Sequence, residues 1–194
     1  KFGVSLSDFF LLISSDNKKI TNELADLEMK NAEFKTEITW NNEQSYNKDG
    51  LDKVEFLIRT NVGDTFKPLI KIASGGELSR IMLGIKNTLA QIDQVPVLVF
   101  DEIDTGISGI AANKVAEKLK MISKLHQVLC ITHLAIIAAK GDTNLYISKN
   151  VENDQTKTNV EKLNEEEVIK EIARIASGET SSVALEHARA LRYN

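Results

Sequence analysis

The chain has 194 residues, 42% of them hydrophobic and 27% charged, which is enough to bury one substantial core and too balanced for a disordered or fibrous protein. A formal net charge of −4 argues against this chain alone being a strong binder of nucleic acid, since affinity for a duplex comes mainly from Lys and Arg neutralising phosphates. One cysteine, Cys130, leaves no intrachain disulfide framework and suits a reducing cytoplasm, and no stretch is long and apolar enough to imply a membrane partner.

The chain begins at Lys1 without methionine, which suits the later portion of a longer protein. Residues 1–31 read as a helical segment, with the apolar run Phe9–Ile13 and then Ile20, Leu24 and Leu27 at helical spacing, but without sustained heptads. From residue 32 the pattern changes. Phe34–Trp40 and Val54–Arg59 alternate as strands do, and the turn formers Asn47–Gly50 between them predict an antiparallel pair.

Ser74-Gly75-Gly76-Glu77 then opens a helix whose apolar positions Leu78, Ile81, Met82, Ile85, Leu89 and Ile92 form a single stripe. Such a helix start offers backbone N–H groups and a positive dipole end to an anion, with glycines permitting close approach. The same Ser74-x-x-Glu77 also fits a capping box, which needs no ligand. Val97–Phe100 is a continuous apolar run, as expected of a strand covered on both faces of a parallel sheet, and it ends in Asp101-Glu102. Carboxylates at the carboxyl end of such a strand lie where open α/β sheets bind ligands, although many strands end in solvated acids. Asp104-Thr105-Gly106-Ile107-Ser108 follows, and Gly109–Leu125 reads as a crossover helix with Ser108 as its cap and Val115, Leu119 and Ile122 inward.

Val128–Thr132 is the next strand and completes a βαβ unit; Cys130 is a packing residue within it. His133 follows directly, placed either to serve the fold or to hydrogen-bond a phosphate or a water. His126 and His187 have no partners at metal-binding spacing. A short helix near Ile136, strands near Leu145–Ser148 and Asn159–Leu163, and two final helices complete the pattern. Asn164 with Glu165, Glu166 and Glu167 makes an acidic helix start, and Ser177-Gly178 separates the last two helices.

The ordered set Lys71–Leu83, Phe100–Gly109 and Cys130–Leu134 resembles the RecN family of SMC-related, ABC-type ATPases, and specifically the C-terminal lobe of their head. The resemblance implies an α/β fold, a mostly parallel sheet flanked by helices with an antiparallel strand pair, over residues 32–194, and a coiled-coil stub or helical segment over residues 1–31. It implies action in double-strand-break repair and recombination. By resemblance Ser74, Gly75, Gly76 and Glu77 form the signature loop that binds nucleotide held by an opposing head. Asp101 would hold Mg²⁺ through water, Glu102 would polarise the attacking water, and His133 would be the switch histidine. Asp104, Gly106 and Ser108 belong to the loop that crosses the head interface.

The implied cofactors are ATP and Mg²⁺. The implied partners are an N-terminal head lobe carrying the Walker A loop, a second head in a homodimer, and DNA through the complete protein, at the nucleoid in the cytoplasm. No segment here fits the phosphate loop G-x-x-x-x-G-K-[ST], so the chain alone is expected to be inactive. Two departures stand out: Ala135-Ile136 and Ile110 occupy positions where the family often has Pro-Gln and arginine. The rival readings are a non-catalytic dimerisation module that retains the lobe, and a transporter-type nucleotide-binding domain, which Glu77 and Asp104 disfavour.

Overall fold

The computed structural model describes residues 16–40, 52–72, 74–93, 95–152 and 155–193. The apolar run Phe9–Ile13 and the turn Asn47–Gly50 lie outside the described residues. Helix α1, Asn17–Asp26, is a ten-residue element, too short to persist alone in water, so its stability must come from packing. Ile20, Leu24 and Leu27 supply that packing, each with no exposed surface. Burial of a Leu or Ile side chain contributes about 1.5–3 kcal/mol, which offsets the weak intrinsic helix.

Strand β1, Glu33–Trp40, pairs antiparallel with β2, Asp52–Arg59, in the register Phe34 opposite Ile58, and the short β3, Lys67–Pro68, adds to the far edge of β2. The rings of Phe34 and Phe56 lie 5.6 Å apart across β1 and β2. Helix α2, Gly75–Leu89, follows a single 3₁₀ turn at Leu69–Lys71. Its burial departs from the single stripe that the spacing predicts. Ile81, Ile85 and Leu89 pack into one core with Ile20, Leu24, Phe34 and Ile58, whereas Leu83 packs into a second core with Leu98, Phe100, Ile103, Val115 and Ile122. Positions 81 and 83 are about 200° apart on a helix of 3.6 residues per turn, so α2 is a shared wall between two cores.

That second core is the βαβ unit. Strand β4, Val97–Phe100, is followed by α3, Gly109–Ile122, and β5, Gln127–Cys130, which pairs parallel with β4. The expectation that β4 is covered on both faces is corrected. Leu98 and Phe100 are buried, but Val97 and Val99 are exposed, as are Leu129 on β5 and Ile131 just after it. One crossover helix covers one face of a two-stranded sheet and leaves the other open.

Helix α4, Ala135–Ala139, follows β5, and strands β6, Leu145–Glu152, and β7, Gln155–Lys162, form an antiparallel ribbon longer than the alternation predicts. Helix α5, Glu165–Ser177, carries a reciprocal capping box between Asn164 and Glu167 and ends at Gly178 in the left-handed region, φ 78°. Helix α6, Ser182–Tyr193, packs back on α5 and α4 through Ala184, Ala188, Ile172 and Ala139. The class is α/β as expected, but among the described residues the parallel component is limited to β4 and β5, the other strands being antiparallel. Parallel pairing needs a long crossover, and only α3 supplies one here.

Candidate functional site

The site is organised on the loop that leaves β4. At its start, the Asp101 carboxylate accepts a hydrogen bond from the Glu102 backbone N–H at 2.9 Å, and both side chains are exposed. Glu102 has φ 57°, the left-handed region that a non-glycine residue adopts at a cost of about 1–3 kcal/mol and holds only where its surroundings impose it. Those surroundings are α2. The Ser79 hydroxyl donates to the Asp101 carbonyl at 2.7 Å, and the Arg80 guanidinium donates to the carbonyls of Thr105 at 2.8 Å and Ile103 at 3.3 Å. The turn itself closes through Thr105 N–H to the Glu102 carbonyl at 3.0 Å.

The start of α2 lies against the same turn. A Cβ on Gly75 would overlap the Glu102 carboxylate, and one on Gly76 would stand 3.0 Å from the carbonyls of Glu102 and Thr105, so both glycines permit a close approach that alanine would not. Ser74 is the helix cap, its hydroxyl accepting from the Glu77 N–H at 3.3 Å. Ser74 and Gly75 are exposed, so the cap leaves the first N–H groups of α2 open to an anion.

Asp104, expected on an interface loop, faces inward and is 2% exposed. Its Oδ2 accepts from the Thr132 hydroxyl at 2.5 Å and the His133 backbone N–H at 2.8 Å, and lies 3.2 Å from His133 Nδ1. The Asp104 carboxylate thus ties the loop after β4 to the end of β5. The imidazole of His133 remains 69% exposed. Gly106 turns the loop at φ 75° with open space around it, and Ser108 is exposed and extended. Ser108 holds the N-cap position of α3 as expected, but its side chain makes no cap hydrogen bond, and Gly109, the first helical residue, has φ 53°.

Of the predicted site residues, Gly75 and Gly76 therefore meet Glu102 across one turn, with Ser74 and Glu77 joined in the cap of the same helix, while His133 meets the same loop through Asp104. Gly106 and Ser108 lie on that loop without contacting either cluster among the described hydrogen bonds. Two contributors were not assigned to the site from the sequence, where Arg80 reads with Lys67 and Lys71 as part of a solvated face. Arg80 is 7% exposed and its pKa is lowered by desolvation, against the opposing pull of Glu77. Ser79 reads as an ordinary helix residue. The signal available was only that an arginine stood among the apolar positions of α2, which a solvated face explains equally well.

Other titratable groups serve the fold. His126 is buried with its ring nitrogens 2.6 Å from the Val95 carbonyl and 3.3 Å from the Ala90 carbonyl. Burial pushes the Cys130 thiol up to about 12, with Asp104 and Asp101 adding to the effect. Among the described residues no group of three or more His, Cys, Asp or Glu could hold a metal by itself, and no helix is long and apolar enough to cross a membrane.

The chain is 42% identical over 177 residues to the DNA repair protein RecN of Halalkalibacterium halodurans, a match covering 90% of this chain and 31% of that protein. It is 41% identical over 187 residues to the DNA repair protein RecN of Bacillus subtilis, covering 89% of this chain and 32% of that one. The chain therefore spans about a third of the length of these curated relatives. No family model matches it. Among solved structures it superposes on an Smc head domain with a coiled coil and joint from Pyrococcus yayanosii, with TM-score 0.59 and 20% identity over 88% of this chain and 31% of that one. It also superposes on an SMC ATPase studied for ATP-driven dimerization and DNA-stimulated activation, with TM-score 0.51 and 22% identity over 89% and 96%. The chain is a RecN homologue over nearly all its length, and its fold is that of SMC ATPase heads.

Proposed function

We propose that this RecN homologue is the C-terminal lobe of an SMC-like ATPase head that acts in DNA double-strand-break repair and recombination in the cytoplasm. The observation that carries the reading is the convergence on one loop of an anion-accepting helix start, two exposed carboxylates after β4 and an exposed histidine following β5. The open apolar face at Val97, Val99, Leu129 and Ile131 is the surface that an N-terminal lobe carrying the Walker A loop would cover.

The residues fit ATP with Mg²⁺ in a divided way. Mg²⁺ uses one or two carboxylates plus phosphate and water ligands, and the exposed Asp101 offers one carboxylate without a ready-made cage. ATP, when bound, supplies the phosphoryl group that is transferred to water. Asp101 would hold the metal through water. Glu102 would accept a proton from the attacking water and orient it, as a carboxylate can and an amide cannot. His133 would hydrogen-bond at the same place. Ser74, Gly75, Gly76 and Glu77 would bind the nucleotide of a second head with the N–H groups of α2, and Asp104, Gly106 and Ser108 lie on the loop that would run along that homodimer interface. DNA would be engaged by the complete protein. The isolated chain, lacking a phosphate loop, would bind Mg-ATP weakly and turn it over negligibly.

Glu102→Gln tests this in a complete two-lobe head. ATP binding should persist while hydrolysis falls by roughly 10²-fold or more, the general scale of acid–base contributions. Unchanged turnover with binding confirmed would remove Glu102 from the catalytic role and favour a dimerisation module without hydrolysis.

A further inference from the structure

We propose that Arg80 is a positioning residue for hydrolysis: from α2 it holds the turn after β4 in the one conformation that aims the Glu102 carboxylate. The proposal rests on the reading of Glu102 given above, and its structural part is open to measurement without nucleotide. Arg80 is 7% exposed, and among the described residues no carboxylate lies within ion-pair distance of its guanidinium. A charge taken out of water needs compensation. Here the compensation is backbone: Nη1 donates to the Thr105 carbonyl at 2.8 Å and to the Ile103 carbonyl at 3.3 Å, while Nε is buried without a hydrogen-bond partner among the described residues. For packing alone, an apolar side chain at this place on α2 would avoid the desolvation. The arginine is explained by the turn to which its two carbonyls belong.

Ser79 and Arg80, adjacent on α2, take the carbonyls of Asp101, Ile103 and Thr105 between them, and the Thr105 N–H closes the turn on the Glu102 carbonyl at 3.0 Å. These bonds bracket Glu102 on both sides at its φ of 57°, a conformation that a non-glycine residue keeps only where its surroundings impose it. Among the described residues no hydrogen bond or ion pair holds the Glu102 carboxylate itself. Its place is therefore set by the direction of the Cα–Cβ bond, and a return of φ to negative values swings that bond away.

A general base acts only within hydrogen-bond reach of the water whose proton it takes. Misplacement by about 1 Å can cost about 10²-fold in rate. Arg80 contacts none of the groups assigned to nucleotide, so its loss separates turnover from binding.

The test is a double-mutant cycle in a complete two-lobe head. Arg80→Met should lower kcat by roughly 10-fold or more and leave the Kd for ATP within about twofold of wild type. In the Glu102→Gln background the same change should lower the residual rate by less than about twofold, because two residues that act as a unit are not additive. Arg80→Lys, which keeps a cationic donor, should retain more of kcat than Arg80→Met, and it carries the test if the methionine variant does not fold. In the 194-residue chain, hydrogen exchange at the Thr105 amide should accelerate in either variant relative to amides elsewhere in the same core. Wild-type kcat in both folded variants, or equal losses with and without Glu102, would overturn the proposal, as would an unchanged Thr105 exchange rate. Turnover unaffected by Glu102→Gln alone would instead sink the reading of Glu102 and take the role of Arg80 in hydrolysis with it.

Discussion

Two neighbouring glycines at the start of α2 should respond oppositely to the same substitution. Alanine gains up to about 1 kcal/mol over glycine in a helix, and less in a first turn. At Gly76 the new Cβ would stand 3.0 Å from the carbonyl oxygens of Glu102 and Thr105 and 3.1 Å from Thr105 Cβ. None of these can retreat freely, because the turn is closed by the Thr105 N–H bond to Glu102 and held by Arg80 on the Thr105 carbonyl. Overpacking of this kind costs about 1–3 kcal/mol, so Gly76→Ala should destabilise by about 1–2 kcal/mol net. At Gly75 the obstruction is the end of the exposed Glu102 side chain, with Cδ at 3.4 Å. That side chain can rotate away at a cost of about 0.5–1 kcal/mol, which the helix propensity offsets, so Gly75→Ala should be within about 0.5 kcal/mol of wild type. Urea denaturation of the 194-residue chain, with equal m values, reads the difference directly, and each kcal/mol corresponds to about 2–4 °C in Tm for a chain of this size. Equal losses for the two variants, or a larger loss at Gly75, would show that the turn is not the rigid partner of α2.

Lys118 on α3 bonds Glu23 and Asp26 of α1 at 2.9 Å each, and Lys118→Met should cost about 1–3 kcal/mol at neutral pH by urea denaturation. Burial alone would lower the Lys118 pKa, but the bonds to Asp26 and Glu23 outweigh it and raise the value. A raised folded pKa contributes stability that is present below the unfolded value, about 10.4, and lost as pH rises through the folded one, so wild type should weaken above about pH 10.4 and Lys118→Met should lack that limb. Cys130, with its thiol held up to about 12, should alkylate about 10³-fold more slowly in the folded chain than in urea, as a timed iodoacetamide assay would reveal. Ser74→Ala should cost about 0.5–1 kcal/mol as a lost cap, whereas Ser74→Arg in a complete head should block ATP-driven dimerisation, measured by light scattering, while nucleotide still binds. Dimerisation unaffected by the arginine would reduce Ser74 to a cap.

The order of elements from α2 to β5 and the identity of the acidic, glycine-rich and histidine segments were legible in the sequence, because each is a local pattern. A helical stripe, a turn former and an apolar run constrain their own few residues by backbone sterics and side-chain period alone. The acidic helix start at Asn164–Glu167 and the break at Ser177-Gly178 were legible for the same reason, and the structure makes them a capping box and a left-handed stop. Tertiary structure decided what those segments touch. It placed Leu83 in one core and Ile81 in another, left Val97 and Val99 uncovered, turned Asp104 inward and set Arg80 on the carbonyls of the loop after β4. A periodic pattern says that a face is apolar but not how many partners press on it, and a charged residue reads the same whether water or a buried carbonyl will satisfy it. Those choices depend on contacts between residues more than twenty positions apart, which only the folded chain brings within hydrogen-bond reach.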